Sequence, residues 1–247
     1  MFKRKHHLDI ALVLQALDPK CLAEHHCYFG GGTAMVLQRG EYRQSDDINF
    51  LVSDLQGYRA LRQMLGGAAG LAPIAREGLA IELEREIRAD QYGVRTRVRA
   101  GESVIKFEIV LEGRIRLEQP ARADKICGLA TLRPLDMASE KLLANADRWR
   151  DDAVYSRDII DLAMLEAPAT LLEAACTKAE TAYGNSVRKA VADAIHMLKN
   201  NPKRLDECMQ ALSIEDVAKQ KLWSEIRRLG KVLPERDGEV EHPQQRG

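Results

Sequence analysis

Two stretches decide how this chain reads: Tyr28-Phe29-Gly30-Gly31-Gly32-Thr33-Ala34-Met35-Val36-Leu37, and then Ser45-Asp46-Asp47-Ile48-Asn49-Phe50-Leu51-Val52. The first reads as a short apolar approach, a glycine turn and a helix start. The second has strand composition with polar groups at alternate positions. Three consecutive glycines ahead of a helix expose backbone N–H groups at its N-terminus. Unpaired amides and the helix dipole both favour an anion there. Thr33 can cap that helix or reach a phosphate oxygen. A tight turn that needs positive φ is the plain alternative for the glycines. Asp47 and Asn49 are two apart on the expected strand, so both side chains share one face. Two oxygen ligands beside an anion cradle suit a divalent metal that bridges protein and triphosphate. Asp46 falls on the opposite face of a regular strand.

Outward from this centre, residues 8–18 carry Leu8, Ala11, Leu12, Leu14 and Leu17 at helical spacing, and Pro19 ends the run. Residues 55–65 return to helical spacing before Gly66-Gly67. Three alternating stretches follow at 79–88, 92–99 and 103–111, with short connections that predict an antiparallel meander. Glu108 lies in the third, between Phe107 and Ile109, on the face opposite the apolar side with Lys106 beside it. A solvent-facing pair on an amphipathic strand is the alternative for both. After Pro120 the pattern turns helical: Met137, Leu142, Leu143 and Ala146 share a stripe, as do Ile159, Ile160, Ala163 and Met164. Further helices are expected at 168–182, 185–199, 203–211 and 214–229. The expected fold class is α/β (α+β): a mixed or antiparallel sheet with flanking helices over 1–120, a helical domain over 121–235, and a disordered tail at 236–247.

The chain has 247 residues and equal numbers of basic and acidic residues, 37 of each, so bulk charge does not suit it to coating nucleic acid. A local basic face stays open. No apolar run approaches the roughly 20 residues needed to span a bilayer. The basic start, Met1-Phe2-Lys3-Arg4-Lys5-His6-His7, runs into Asp9 with no cleavage pattern, so it does not read as a signal peptide. Five scattered cysteines fit a reducing, cytoplasmic setting better than a disulfide framework.

Gly31-Gly32-Thr33-Ala34, followed by Arg43-Gln44-Ser45-Asp46-Asp47-Ile48-Asn49-Phe50, resembles the signature of the AbiEii/AbiGii-type toxin family, nucleotidyltransferases similar to DNA polymerase beta. That pattern is a GG turn, R-x-S-x-D-I-D-F, a K-x-D strand, D-x-x-x-x-K with a later Arg, and D-x-x-D. Lys106-Phe107-Glu108 resembles the third element, with Glu for Asp. Asp136, Lys141 and Arg148 resemble the fourth. Asp158-Ile159-Ile160-Asp161, preceded by Arg157, resembles the last. The resemblance spans about residues 28 to 165.

The resemblance implies transfer of a nucleoside monophosphate from an NTP to a hydroxyl acceptor such as RNA or a tRNA 3′ end, by a toxin paired with an antitoxin. It implies magnesium or manganese held by Asp47, Asn49 and Glu108. Gly31, Gly32, Thr33 and Ser45 would hold the nucleotide phosphates. Lys141 would add a point charge and Arg148 a planar fork. Asp158 would orient Lys141 or the acceptor. Asn49 stands where the family has a second Asp, and a neutral amide brings no charge to a cation. A catalytically impaired relative that binds nucleotide or a protein partner is therefore a second reading. A small-molecule nucleotidyltransferase, as in antibiotic modification, is a third.

The remaining features read plainly. His6-His7 and His25-His26 are adjacent pairs without metal-type spacing and read as surface residues. Arg95, Arg97 and Arg99 share a strand face; cross-strand pairing with Glu82, Glu84 and Glu86 is favoured over contact with a phosphate backbone. Trp149 and Trp223 read as packing residues.

Overall fold

The alternation at 103–111 builds the central strand, β5 (Ser103–Leu111). Ile105, Phe107 and Ile109 are fully buried, while Lys106 and Glu108 stand on the other face. The computed structural model describes residues 2–235, so the expected disordered tail at 236–247 lies outside the described residues. Four further strands join β5: β1 (Tyr28–Gly30), β2 (Asp47–Val52), β3 (Glu82–Ala89) and β4 (Gly93–Ala100). Their order is β1-β2-β5-β4-β3. β3, β4 and β5 form the expected antiparallel meander. β2 runs parallel to β5 and antiparallel to β1, so the sheet is mixed. Phe29, Phe50 and Phe107 pack across β1, β2 and β5, with ring centroids 5.5 and 5.7 Å apart.

Helices α1 (Lys5–Ala16), α2 (Pro19–Glu24), α3 (Gly31–Gln38) and α4 (Leu55–Leu65) accompany the sheet. Pro19 opens α2 rather than only ending the run before it, and the Asp18 carboxylate caps this helix by accepting the Lys20 N–H at 2.8 Å. The second half supplies α5 (Pro134–Arg148), α6 (Arg157–Met164), α7 (Ala169–Tyr183), α8 (Ser186–Asn200), α9 (Arg204–Ala211) and α10 (Lys219–Val232). One hydrophobic core runs from Ile10 to Leu233 through sheet and helices.

Two element boundaries differ from the sequence reading, and one small element escapes it. β3 starts later than 79, and register shifts on either side of Arg85 break its alternation. The last helix begins at Lys219 rather than 214, because Ser213 takes a positive φ and the chain turns before it resumes. A small hairpin, β6 (Lys125–Ile126) and β7 (Leu129–Ala130), turns through Cys127 and Gly128, both at positive φ, and gave no alternation long enough to read. Among the described residues, no helix is long and apolar enough to cross a membrane.

Candidate active site

The parallel register of β2 and β5 sets Asp47 opposite Lys106 and Asn49 opposite Glu108. On the other side Asn49 pairs with Gly30 of β1, so the glycine turn sits directly against it. Gly31 has φ +70°, and a Cβ there would come 3.2 Å from the Asn49 Cβ. A Cβ on Gly32 would fall 2.4 Å from Nη2 of Arg43. The positive φ of Gly31 fits the tight-turn reading of the glycines, and the close approach of Arg43 to Gly32 is an additional constraint. No side chain caps the first turn of α3. Thr33 instead turns its hydroxyl to the Asp47 carbonyl and to Oγ of Ser45, 2.8 Å away, which ties α3 to the start of β2.

Asp47 is half-buried and forms no ion pair among the described residues. Burial raises its pKa above 3.8; Lys106 and Arg157 oppose that shift, and the Glu108 carboxylate reinforces it. Glu108 is held by Lys106 Nζ at 2.8 Å and by Arg95 Nε at 3.4 Å. Asp46 precedes the strand and is exposed, accepting from Gln44 Nε2 at 2.7 Å.

The helical wall carries a different kind of chemistry. Lys141, on α5, reaches Asp158 at 2.9 Å and Asp161 at 2.6 Å, both on α6. Two turns along α5, Arg148 donates to both oxygens of Asp158, at 2.7 and 3.0 Å. Asp161 also accepts two bonds from Arg43, at 2.7 and 2.9 Å, and one from the Tyr42 hydroxyl at 2.6 Å. Burial pushes both carboxyls upward, but the cations around them win and hold both below the ordinary 3.8. Lys141 and Asp158, both read from the sequence as site residues, are thus in direct contact. The Arg43–Asp161 link escaped the sequence reading; its only signal was that Arg43 opens the same motif as Asp47. Asp136 lies away from the cleft. It is fully buried, takes the Glu118 N–H at 2.7 Å and pairs with Lys178, bracing α5 against α7.

The histidine reading needs a correction. His7 is fully buried, not a surface residue. Its Nδ1 bonds Glu41 Oε1 at 2.8 Å, and its Nε2 accepts the Ser45 N–H at 3.2 Å. These partners select the neutral ring with its proton on Nδ1. Glu41 also accepts the N–H groups of Lys3 and Arg4, 2.7 and 3.1 Å away, so one carboxylate joins the start of α1 to the loop before Asp47. His6 and His25 are partly buried, and only His26 of the four is exposed. Cross-strand pairing holds for Arg99, with Glu82 and Glu84, but Arg95 pairs with Asp90 and Glu108 instead. Trp149 and Trp223 pack against the core as expected.

The two walls enclose a cleft of about 410 Å³ lined by Gly31, Gly32, Thr33, Ser45, Asp47, Asn49, Glu108, Lys141 and Arg148. All the site residues read from the sequence except Asp158, which acts from behind Lys141 and Arg148, line it directly. Lys106 and Arg157 line it too, and Arg157 forms no ion pair among the described residues. Among the described residues no three His, Cys, Asp or Glu side chains cluster as a metal site. The sheet wall offers two carboxylates and an amide oxygen, which is an all-oxygen set suited to magnesium. The unpaired, half-buried Asp47 carboxylate, on the same sheet face as Glu108, is the feature a divalent cation would neutralise, so these residues fit that ion.

The family model described as "Nucleotidyl transferase AbiEii toxin, Type IV TA system" matches residues 12–235. Among solved structures, a Helicobacter pylori protein named as a candidate nucleotidyltransferase is similar at TM-score 0.50 and 15% identity, covering 94% of this chain and 97% of its own. JHP933 from Helicobacter pylori is similar at TM-score 0.49 and 16% identity, covering 94% and 95%. No functionally curated protein matches the chain.

Proposed function

The chain belongs to the AbiEii family of nucleotidyltransferase toxins of type IV toxin–antitoxin systems, and from that premise we propose that it moves a nucleoside monophosphate from an NTP to an acceptor hydroxyl, with RNA as the acceptor class. The observation that carries this reading is the register that lines up Asp47, Asn49 and Glu108 beside the Gly31–Gly32 turn. An unpaired half-buried carboxylate and an uncapped helix N-terminus lie together, one suited to a cation and the other to an anion. A metal-bound triphosphate satisfies both.

In this reading the amides at the start of α3 take phosphate oxygens of the NTP. Lys141 has spent two of its three donors on Asp158 and Asp161, which fixes its ammonium and leaves one N–H for the triphosphate. Arg148, anchored through Nε and Nη2, keeps Nη1 for the same ligand. Arg157 brings an unpaired guanidinium. Asp47, Asn49 and Glu108 would hold magnesium or manganese, which when bound neutralises phosphate charge and acidifies the acceptor hydroxyl. The acceptor oxygen attacks the α-phosphorus, the bond to pyrophosphate breaks, and the hydroxyl proton passes to a carboxylate of this patch. The family setting also brings a cognate antitoxin as partner.

Asn49 supports a second reading, in which the site binds nucleotide but transfers poorly. Incubation with each α-labelled NTP, manganese or magnesium, and total RNA distinguishes them, with an aminoglycoside panel alongside. The first reading expects label in RNA with release of pyrophosphate, and loss of both in Asp47→Ala. Binding without transfer, restored to transfer by Asn49→Asp, supports the second. Label in the aminoglycosides and not in RNA overturns the RNA acceptor.

A further inference from the structure

The sheet carries a row of cations, two of the three unpaired, that ends at the candidate site. The register places Arg85 of β3 opposite Arg97 of β4, Arg97 opposite Lys106 of β5, and Lys106 opposite Asp47 of β2. All four therefore lie on one face of the sheet, since cross-strand partners share a face. It is the open face: Val94, Thr96 and Val98, which alternate with the arginines of β4, are buried, whereas Arg85, Arg97 and Lys106 are exposed. Like charges directly opposite each other disfavour the sheet. The neighbouring arginines escape this cost, because Arg99 pairs with Glu82 and Glu84, and Arg95 with Asp90 and Glu108. Arg85 and Arg97 do not; neither guanidinium has an ion pair or hydrogen bond among the described residues. Lys106 links the row to the cleft by pairing with Glu108, beside Asp47.

A repulsive row kept on an exposed face needs an anion to satisfy it. Its cations repeat at the spacing of neighbouring strands, about 4.8 Å, so three of them span a line and not a point. A single phosphate would not reach from one end of the row to the other. A chain of regularly spaced single negative charges meets all three. We propose that the Arg85–Arg97–Lys106 row is a track for a phosphodiester strand, laid across β3, β4 and β5 so that its end reaches Asp47. The track deepens and rests on the transfer reading: it makes the acceptor a nucleic-acid strand held by its backbone and therefore read with little regard to base sequence. Arg148 and Arg157 face the same cleft from the helical wall, so the end of the strand would enter between cations on both sides.

The test uses the full chain and the double variant Arg85→Ser/Arg97→Ser. Neither side chain touches a partner, so the variant is expected to fold with an unchanged or higher Tm. Binding of a fluorescein-labelled oligouridylate of about twelve nucleotides, within the usual range of single-strand sites, is followed by anisotropy at several salt concentrations. Manganese–NTP binding is measured in parallel. The expected result is oligonucleotide binding by the wild type and roughly tenfold or weaker binding by the variant. The slope of log K against log salt should fall by about 1.4, the single-strand value for two lost contacts. NTP binding should not change. Equal affinity and slope in the two proteins overturn the track. So does a polyglutamate peptide that displaces the oligonucleotide at equal concentration, which assigns the face to an acidic protein. Absence of oligonucleotide binding with NTP binding intact also overturns the track and leaves nucleotidyl transfer standing. Absence of both removes the transfer reading as well.

Discussion

The two walls of the cleft use the same residue types in opposite ways. On the helical wall, Asp161 is fully buried and takes four donors, from Arg43, Tyr42 and Lys141. Asp158, Asp161, Lys141 and Arg148 all answer one another inside the protein, and Arg157 alone of the cations named on that wall has no ion pair among the described residues. On the sheet wall, Asp47 is half-buried and unanswered, and Glu108 shares two cations that both reach toward solvent. Stability is therefore concentrated in one wall and reactivity in the other. The helical wall acts on a ligand through what this network leaves over, the last donors of Lys141 and Arg148 and the guanidinium of Arg157.

That contrast can be broken first at Asp161. Asp161→Asn strands the buried cations of Arg43 and Lys141, and the expected cost is about 3–5 kcal/mol, read as a lower midpoint in urea. The linkage sign follows from the depressed pKa. The contribution of Asp161 is complete above 3.8, its unfolded value, and is lost as pH falls through its lower folded value. Stability that does not change in Asp161→Asn would mean that the network is not what holds the wall.

Gly32→Ala comes next, because it bears on the seam between the walls. The new Cβ would press on Arg43, whose guanidinium cannot swing aside without leaving Asp161. The expected loss is about 1–3 kcal/mol, measured by thermal unfolding. A variant as stable as the wild type would show that Arg43 has another seat.

His7→Leu leaves Glu41 and the Ser45 N–H short of a partner, at a cost of about 1–3 kcal/mol. The pH dependence sharpens this. Burial holds His7 below its ordinary 6.5, against the pull of Glu41. As pH falls below 6.5, the unfolded chain takes up the proton before the folded one, so stability drops from there toward the folded value. His7→Gln should flatten that limb of the stability–pH curve. An unaltered limb would assign it to other groups.

The smallest effect on folding is expected from Asn49→Asp. It adds a third carboxylate to the sheet wall, so the metal-free protein should become slightly less stable while manganese binds about tenfold more tightly. Titration calorimetry reads the affinity and thermal unfolding of the metal-free protein reads the stability; unchanged affinity would show that the amide is used as it stands.

Local features of the site were legible because their signals are local. The period of two at 103–111 put Glu108 opposite the apolar face, and the two-residue spacing put Asp47 and Asn49 together. The seven-residue spacing of Lys141 and Arg148 placed them on one helix face. The links between distant segments were not legible. Arg43 meets Asp161 across 118 residues, and no periodicity carries that. His7 stands beside exposed Lys5 and Leu8, and its burial depends on Glu41, 34 residues away. The parallel pairing of β2 with β5, which makes the sheet mixed, was likewise invisible in either strand alone.

The most direct test of the account is manganese–NTP binding by the wild type and by Asp47→Asn, with Tm measured on the same samples. An answered charge is costly to remove and an unanswered one is not. The account predicts at least a tenfold loss of metal-dependent binding in Asp47→Asn with an unchanged or higher Tm. A variant that loses stability while binding the nucleotide as tightly as the wild type would contradict it, because Asp47 would then belong to the scaffold and not to the site.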